Sequence, residues 1–444
     1  MVDTLQKTHF SPSADPYDQV DVRRRMKAIL VGSTGNLIEW YDVYAYSAFA
    51  LYFAGSFFPV ADPVAQQLAA ASLFAAAFVM RPIGSLLFGY FADRYGRRLS
   101  LTFAILLMCV GSLLIAVTPT YDSIGIAAPV MLAFARILQG LSQGGEYGTS
   151  ATYLAEVSHP ARRGFYSGIW YTTLIGGQLA AILVLLILQK LLLTPDQLRD
   201  FGWRIPFFIG AALALYCFFM RRDLHETDLF QKSQAVATRV GTWTVLRRNW
   251  KMVLYVIGFT AGGTSAFYTY TTYMQKFVKL SVGLTDDQTT LIIFGSLVFA
   301  VSIQPLYGAL SDKIGRKPML LAFGIAGTLL TYPLLMTLRT TTSPLVAFLL
   351  ISLGWCIITP YTSTAAVVKA ELFPTSIRAL GVGFPYAIAT ALFGGTIDSV
   401  ALFFKNRGHE EWFFIYATAC IFVSLIFYCF LPDLKKKSRM ENAV

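Results

Sequence analysis

Charged residues are scarce in this chain. Asp, Glu, Lys and Arg make up 14% of the 444 residues, while hydrophobic residues make up 55%. A soluble globular domain carries about 25% charged residues, so this composition excludes an ordinary soluble protein. The mean hydropathy is +0.56, and the apolar blocks of roughly 20 to 28 residues are long enough to cross ~30 Å of hydrocarbon. The sequence therefore predicts an all-α polytopic membrane protein embedded in lipid.

Cysteine and histidine are also few. The five cysteines lie in apolar blocks without C-x-x-C spacing, and the four histidines are scattered. This pattern predicts no disulfide framework, no metal site and no cofactor. The first 26 residues are polar and lack the apolar core of a signal peptide, so we expect a cytoplasmic tail there.

Twelve membrane spans are predicted from the apolar blocks. Their approximate bounds are 27–54, 65–90, 100–118, 126–154, 164–191, 203–221, 251–278, 287–310, 318–337, 344–368, 379–404 and 411–431. The long polar stretch between the sixth and seventh spans divides them into two sets of six. The expected organisation is a tail (1–26), a six-helix half (27–221), a linker (222–250), a second six-helix half (251–431) and a second tail (432–444).

The positive charge is sorted by side of the membrane. Of the 36 Lys and Arg, 26 fall in the tails and in the connections on their side, eight fall in the opposite loops, and two lie inside spans. The positive-inside rule then places both termini in the cytoplasm. The net charge of +11 is thus a topological signal, and we expect no nucleic-acid partner.

The two halves repeat. GYFADRYGRR (89–98) matches GALSDKIGRK (308–317) at an offset of 219, and EVSHPARRG (156–164) matches ELFPTSIRALG (371–381) at an offset of 215. Two motif pairs at nearly one offset indicate a duplication. Because the same cytoplasmic motif returns after six spans, the repeat is parallel, which is typical of alternating-access transporters.

Several motifs carry a resemblance to a known family. The stretch at 89–98 resembles the cytoplasmic signature of the major facilitator superfamily. GNLIEWYD (35–42), MRPIGSLLFG (80–89) and RILQGLSQGGEYG (136–148) resemble its metabolite:proton symporters. A final set is similar to the members that carry 2-oxoglutarate: GEYGTSATY (145–153), TLIGGQL (173–179), GFTAGGTSAFYTYTTYMQK (258–276) and IRALGVGFPYAIA (377–389). The resemblance implies the twelve-helix fold of that superfamily and proton-driven import of 2-oxoglutarate.

Two arginines lie inside predicted spans. Arg81 and Arg136 both fall near the membrane midplane, where charge costs at least ~2.5 kcal/mol and is usually functional. A guanidinium offers two parallel donors to a carboxylate, so two arginines facing one cavity would match a dicarboxylate such as 2-oxoglutarate. The alternative is that each arginine only holds helices together through a permanent ion pair.

Three carboxylates are also intramembrane. Glu39 and Asp42 share one helix face in the first span, and Glu146 continues a polar stripe of the fourth span. Arg136, Gln139 and Gln143 form the rest of that stripe by their spacing. A buried acid can exchange a proton near neutral pH, so these three are the candidates for proton coupling. The alternative is that they are structural partners of the arginines.

Polar and aromatic residues in other spans complete the candidate binding site. The seventh span carries YTYTTYMQK (268–276), where tyrosines offer an aromatic wall and a hydroxyl, or else form an interfacial belt. The candidate substrate ligands besides the two arginines are Tyr44, Gln178, Tyr268, Tyr273 and Gln275.

The repeated cytoplasmic motifs imply a gate. In the superfamily, such residues join the two halves on the cytoplasmic side through charge pairs and helix ends. The resemblance assigns this role to Asp93, Arg94, Gly96, Arg97, Glu156, Arg163, Asp312, Arg316, Glu371 and Arg378. We expect Lys369, near the inner end of the tenth span, to extend towards the lipid headgroups.

Other functions remain open from the residues. Citrate, another dicarboxylate, shikimate or a zwitterionic osmolyte such as betaine are alternative substrates, and a passive facilitator is an alternative class. No nucleotide-binding motif or nucleophile cluster stands out in the sequence, which argues against a pump or an enzyme. We expect the chain to work as a monomer.

Overall fold

A computed structural model describes residues 19–59, 62–95, 97–148, 151, 154, 158–222, 247, 250–373 and 378–431. These residues are almost entirely helical, and no β-strand occurs among them. In a membrane this is expected, because a helix satisfies every backbone hydrogen bond within one segment. The expected linker at 222–250 and the tail at 432–444 lie almost wholly outside the described residues.

Twelve long helices make up the described fold. The first six are α1 (Gln19–Phe57), α2 (Pro63–Tyr95), α3 (Arg97–Val117), α4 (Ala127–Gly144), α5 (Arg163–Ile187, continued by a π turn at Leu188–Leu192) and α6 (Ile205–Arg222). The next three are α7 (Trp250–Tyr268, continued by Thr269–Tyr273, Met274–Phe277 and Val278–Val282), α8 (Asp286–Ile314) and α9 (Arg316–Thr340). The last three are α10 (Pro344–Thr362 and Ala365–Leu372), α11 (Arg378–Phe393 and Ile397–Asn406) and α12 (Glu411–Cys429). Short helices connect them at Tyr121–Ile124, Pro160–Arg162, Pro195–Asp200 and Gly202–Arg204.

Each of the twelve predicted spans coincides with one of these helices, and α1 begins earlier than predicted, at Gln19. In the described part of the chain, eight helices are long and apolar enough by composition to cross a membrane. The apolar part of α3, Thr102–Val117, is shorter. The chain is therefore a multi-span helical membrane protein, as predicted.

The packing of the helices repeats between the halves. Within the first half, α1 packs on α5, α2 on α4, and α3 on α6. The corresponding pairs of the second half, α7 on α11, α8 on α10, and α9 on α12, are also in contact. Between the halves, α5 packs on α8 and α2 packs on α11. The second helix of each half thus meets the fifth helix of the other, as a two-fold relation between parallel repeats requires.

Two helices near the middle of the molecule are irregular. π-helical turns interrupt α7 at Thr269–Tyr273 and Val278–Val282, and α10 stops at Thr362 and restarts at Ala365. Proline at position 360 removes a backbone donor just before the break. Such interruptions are frequent at functional sites, because they turn backbone and side chains away from regular helical positions.

Candidate functional site

A narrow cavity lies between the two halves. From the first half it is lined by residues of α1, α2 and α4 and by the residues just after α4: Glu39, Trp40, Arg81, Gln143, Gly144 and Tyr147. From the second half it is lined by residues of α11: Gly383, Tyr386, Ala387 and Thr390. The empty space among them, including the mouth, is about 270 Å³.

Arg81 is the cationic side chain of the cavity wall. Its Nε and Nη2 atoms both donate to Oε1 of Gln143, at 3.0 and 2.7 Å. The guanidinium lies 3.7 Å from the ring centroid of Phe78 and 5.3 Å from that of Trp40. The group is buried, and these three contacts are made with a neutral amide and two aromatic faces. It can therefore receive a carboxylate without first giving up an ion pair to these neighbours.

Glycine brings Arg81 and Gln143 together. A Cβ atom on Gly140 would collide with the carbonyl oxygen of Ala77, and one on Gly144 would collide with that of Arg81. The backbones of α2 and α4 therefore touch along a G-x-x-x-G stretch, as small residues allow in membrane helices. This close approach of the two backbones lets the Gln143 side chain of α4 accept hydrogen bonds from Arg81 of α2.

An aromatic group surrounds the arginine. Tyr44 stacks on Trp40 with ring centroids 5.5 Å apart. Tyr268 of α7 lies edge-on to Phe78 at 5.2 Å and contacts Trp40 at 6.3 Å. Neither Tyr44 nor Tyr268 is among the residues that line the cavity, but both pack on rings that face the guanidinium.

Arg136 lies in a second polar cluster, inside the first half. Its Nη1 donates to Oε1 of Gln139 at 2.5 Å, and Gln139 in turn donates to Asp42. The hydroxyl of Ser112 donates to the other carboxylate oxygen of Asp42. All four side chains are buried.

The structure thus separates the two arginines, since Arg81 lines the cavity and Arg136 does not. At this cavity of the described residues, the predicted arrangement with both arginines facing one space is therefore not seen. The physical reason is that the guanidinium of Arg136 turns towards the rings of Tyr46 and Phe74, at 4.2 and 5.3 Å, and towards Gln139. Its Nε and Nη2 atoms find no hydrogen-bond partner among the described residues.

The three candidate acids have different surroundings. Glu39 lines the cavity with Arg81. Asp42, although on the same helix, points into the Arg136 cluster. Glu146 is buried beyond the end of α4. The predicted polar stripe of α4 therefore joins both sites, with Gln139 on the Asp42 side and Gln143 on the Arg81 side.

Three predicted substrate ligands lie away from the cavity wall. Gln178 donates to the carbonyl of Thr271 at 2.6 Å, Gln275 donates to that of Ala48 at 3.4 Å, and the Tyr273 hydroxyl contacts Glu410 at 2.9 Å. These contacts hold α5, α1 and α12 to the irregular part of α7. The helical spacing used for the prediction does not hold there, because a π turn adds a residue and rotates the following side chains.

The residues of the predicted cytoplasmic gate are partly described. Both oxygens of Asp312 in α8 accept from the first backbone amides of α5, Gly164 at 2.8 Å and Phe165 at 2.9 Å. Arg316 donates to the same carboxylate at 2.8 Å. Asp312 therefore caps a helix of the opposite half, where the helix dipole favours negative charge.

Other residues assigned to the gate can be placed only in part. Arg163 begins α5, and Glu371 is buried in the second part of α10. The side chains of Asp93, Arg94, Arg97 and Arg378, and all of Gly96 and Glu156, lie outside what the structure describes.

Two buried lysines were not predicted in their observed places. Lys276 pairs with Asp398 at 2.5 Å, and Thr272 donates to the same aspartate at 2.9 Å. The sequence did contain a signal for this ion pair, because Asp398 is an acidic residue inside the predicted eleventh span. Lys369, expected at the lipid headgroups, is instead fully buried. The expectation was wrong because the second part of α10 lies inside the bundle, with all eight of its residues buried.

Comparison with known proteins identifies the family. Residues 28–239 match the family described as "Sugar (and other) transporter", and residues 271–444 match "Major Facilitator Superfamily". Among solved structures, the D-xylose-proton symporter superposes with a TM-score of 0.73 at 20% identity, covering 93% of this chain and 99% of that one. This likeness shows a shared fold.

Curated relatives are similar along nearly the whole chain. The alpha-ketoglutarate permease of Escherichia coli (strain K12) is 47% identical over 406 residues, 91% of this chain and 93% of the relative. The citrate-proton symporter of Klebsiella pneumoniae is 34% identical over 84% of this chain and 83% of the relative, and the proline/betaine transporter of Escherichia coli (strain K12) is 33% identical over 84% and 77%. On its sequence and on its fold alike, the chain belongs to the major facilitator superfamily.

Proposed function

We propose that this protein is a proton-coupled secondary transporter that imports 2-oxoglutarate by alternating access. The observation that carries the proposal is the similarity, along nearly the whole chain, to a protein named alpha-ketoglutarate permease. The cavity between the halves supports it, because a substrate held there is exposed to one side or the other as the halves rock.

Arg81 is the proposed primary contact for a carboxylate of the substrate. Its fork is bound to a neutral glutamine rather than to an acid, so an arriving carboxylate can replace Gln143 as the acceptor. Arg136, enclosed in the first half, is proposed to act on the proton rather than on the substrate.

Asp42 is the proposed proton carrier among the three candidate acids. Its two oxygens accept from the neutral donors Ser112 and Gln139. Through Gln139, the carboxyl is linked to Arg136, which can neutralise the carboxylate after the proton leaves. Glu39, in the cavity wall, is proposed as a neighbour of the bound substrate.

We further propose a place and an assembly for the protein. It lies in the bacterial cell inner membrane with both termini in the cytoplasm, as the excess of Lys and Arg on one side favours. Residues 27–221 and 251–431 act as the moving halves and 222–250 as their linker, with tails at 1–26 and 432–444. We propose that the protein works as a monomer, with each chain carrying its own cavity between its two halves.

The alternatives are other substrates of the same class and a passive facilitator. Relatives named as citrate-proton symporters and proline/betaine transporters are less similar, at 31–34% identity. They make citrate, other dicarboxylates, shikimate and betaine the competitors to test.

The deciding experiment is uptake into proteoliposomes. Radiolabelled 2-oxoglutarate should accumulate when an inward proton gradient is imposed, and the accumulation should collapse with a protonophore. Unlabelled 2-oxoglutarate should compete better than succinate, citrate, shikimate or betaine. Uptake that only equilibrates, with or without the gradient, would establish the facilitator instead.

A further inference from the structure

A buried lysine beside the cavity has no carboxylate partner in the part of the chain that the structure describes. Lys369 is 0% exposed. Among the described residues, its ammonium donates to the hydroxyl of Tyr147 at 2.9 Å and lies 4.1 Å from the ring centroid of Tyr386 and 5.0 Å from that of Tyr147. No acid of the described chain lies within ion-pairing distance of it. An isolated buried cation is costly, so an anion bound beside Lys369 would stabilise the charged form of this side chain.

The two tyrosines connect this lysine to the cavity. Tyr147 and Tyr386 both line the cavity, and their rings stack with centroids 3.5 Å apart. Tyr147 belongs to the first half and Tyr386 to the second, so the stack crosses the interface between them. Lys369 lies against this stack, and Arg81 lies in the wall of the same cavity.

The partners of the two cations lie close together along the chain. Arg81 is bonded to Gln143 near the end of α4, and Lys369 is bonded to Tyr147, four residues further on. Gln143 and Tyr147 both line the cavity, so both cations contact residues of the same cavity wall. The two carboxylate carbons of an extended five-carbon dicarboxylate are about 5 Å apart, since each of the four C–C bonds between them is ~1.5 Å long.

We propose that Lys369 is the second cationic contact of the substrate, so that a dicarboxylate lies between Arg81 of the first half and Lys369 of the second. This rests on the proposed function and deepens it, because it explains how a dianion is preferred over a monoanion. The ammonium exchanges the hydroxyl of Tyr147 for a substrate carboxylate, and the aromatic pair moves aside. A substrate held at both ends joins the two halves, which favours the occluded state over either open state.

The test compares two ligands that differ at one end. 2-Oxoglutarate carries a second carboxylate where 2-oxopentanoate carries a methyl group, and binding of both is measured by tryptophan fluorescence, since Trp40 lines the cavity. In Lys369→Met, 2-oxoglutarate should bind about 10–100-fold more weakly, as expected for a lost charge-assisted hydrogen bond. Binding of 2-oxopentanoate should stay within about twofold of the wild type, because it needs only one cation.

Controls separate the possible failures. Lys369→Arg keeps a cation and should retain most of the preference for 2-oxoglutarate. Lys279→Gln changes a lysine at the end of α7 that pairs with Asp286, the first residue of α8, and should alter neither affinity. Binding of 2-oxopentanoate by Lys369→Met shows that the variant is folded, and Lys369→Gln replaces it if it is not.

Each outcome decides the matter. Equal weakening of both ligands, or an unchanged preference, in Lys369→Met would overturn the assignment of Lys369 while leaving the proposed function intact. A wild-type protein that binds neither ligand would overturn the proposed substrate and, with it, this assignment.

Discussion

Arg81 combines two properties that a lysine could not supply. Its planar fork donates twice to one oxygen of Gln143, and its flat face packs 3.7 Å from the Phe78 ring centroid. Both features depend on the delocalised guanidinium and not on charge alone. The residue is thus prepared for a planar acceptor before any substrate arrives.

The first prediction follows from this geometry. Arg81→Lys keeps the positive charge but loses the fork and the stacked face, so the affinity for 2-oxoglutarate should fall ~10–100-fold. Equilibrium binding of labelled substrate to purified protein measures the change. Arg339→Lys, at a half-exposed pair with Glu411, is the matched control and should bind normally. Near-normal affinity in Arg81→Lys would show that the fork is not used.

The second prediction concerns the proton. Asp42→Asn imitates the protonated acid permanently, so substrate exchange across proteoliposomes should survive while accumulation driven by a proton gradient vanishes. Glu39→Gln and Glu146→Gln are tested in parallel, and we expect both to retain more gradient-driven accumulation than Asp42→Asn. Full accumulation by Asp42→Asn would make Asp42 a structural partner of Arg136. Joint loss of exchange and binding would mean that it organises the site.

At the scale of single residues, the sequence predicts the buried arginine and acids near the cavity, but it does not predict the tyrosines or the buried lysine there. Arg81, Glu39 and Asp42 stand out because ionisable groups are rare in apolar spans. Tyr147 and Tyr386 do not, because a tyrosine in an apolar helix resembles any core residue. Lys369 was misplaced, because a lysine near the end of a span usually extends to the headgroups and only the break in α10 brings it inside.

The packing of one helix on another determines the direction of the side chains in the site. The contact of α1, which carries Glu39 and Asp42, with α5 is an example. A Cβ atom on Gly177 would lie 2.7 Å from the carbonyl oxygen of Leu37 and from the amide nitrogen of Tyr41. The α1 segment with Glu39 and Asp42 therefore rests directly on the backbone of α5. The neighbouring Gly176 meets nothing closer than 3.8 Å.

The third prediction uses this adjacent pair of glycines. Gly177→Ala should destabilise the protein by ~1–3 kcal/mol, the usual cost of overpacking, and should weaken transport by displacing α1. Gly176→Ala should be neutral or slightly stabilising, because alanine favours a helix by ~1 kcal/mol over glycine. Thermal unfolding of both purified variants measures the difference. Equal melting temperatures would mean that the two helices can separate without loss.

Element positions were predictable and local irregularities were not. All twelve spans follow from runs of apolar residues, because a helix that crosses the membrane needs about 20 such residues in succession. The π turns of α7 and the break at 362–365 leave no comparable signal. For this reason regular helical spacing, which puts Gln275 on one face of α7 and Tyr273 on another, does not bring either residue to the cavity.

The whole molecule is held together by contacts that must break and re-form. At the end of the bundle that we predict to face the cytoplasm, Asp312 of α8 caps α5 of the other half. Towards the opposite side, Ser47 of α1 donates to the carbonyl of Thr272 in α7 at 3.2 Å. Neither contact is an ion pair between the halves. Such hydrogen bonds are weak enough to be exchanged at every transport cycle.

The last prediction tests the cytoplasmic contact. Asp312→Ala removes the acceptor of two helix-terminal amides, and loss of such a cap costs ~0.5–2 kcal/mol. Because the cap exists only while the halves touch, the cost should shift the protein towards the state open to the cytoplasm, by ~2–30-fold in population. Net transport should slow, while the affinity for 2-oxoglutarate stays within a few-fold.

Spin labels on Phe103 and Ile325, exposed on α3 and α9, would report the population as a distance distribution in a cysteine-free background. Asp312→Asn keeps one acceptor oxygen and should shift the distribution less than Asp312→Ala. Asp196→Ala, in the short exposed helix before α6, should not shift it at all. An unchanged distribution together with unchanged transport velocity in Asp312→Ala would mean that packing of α5 on α8 alone closes the cytoplasmic side, and that the repeated acidic motif serves another purpose.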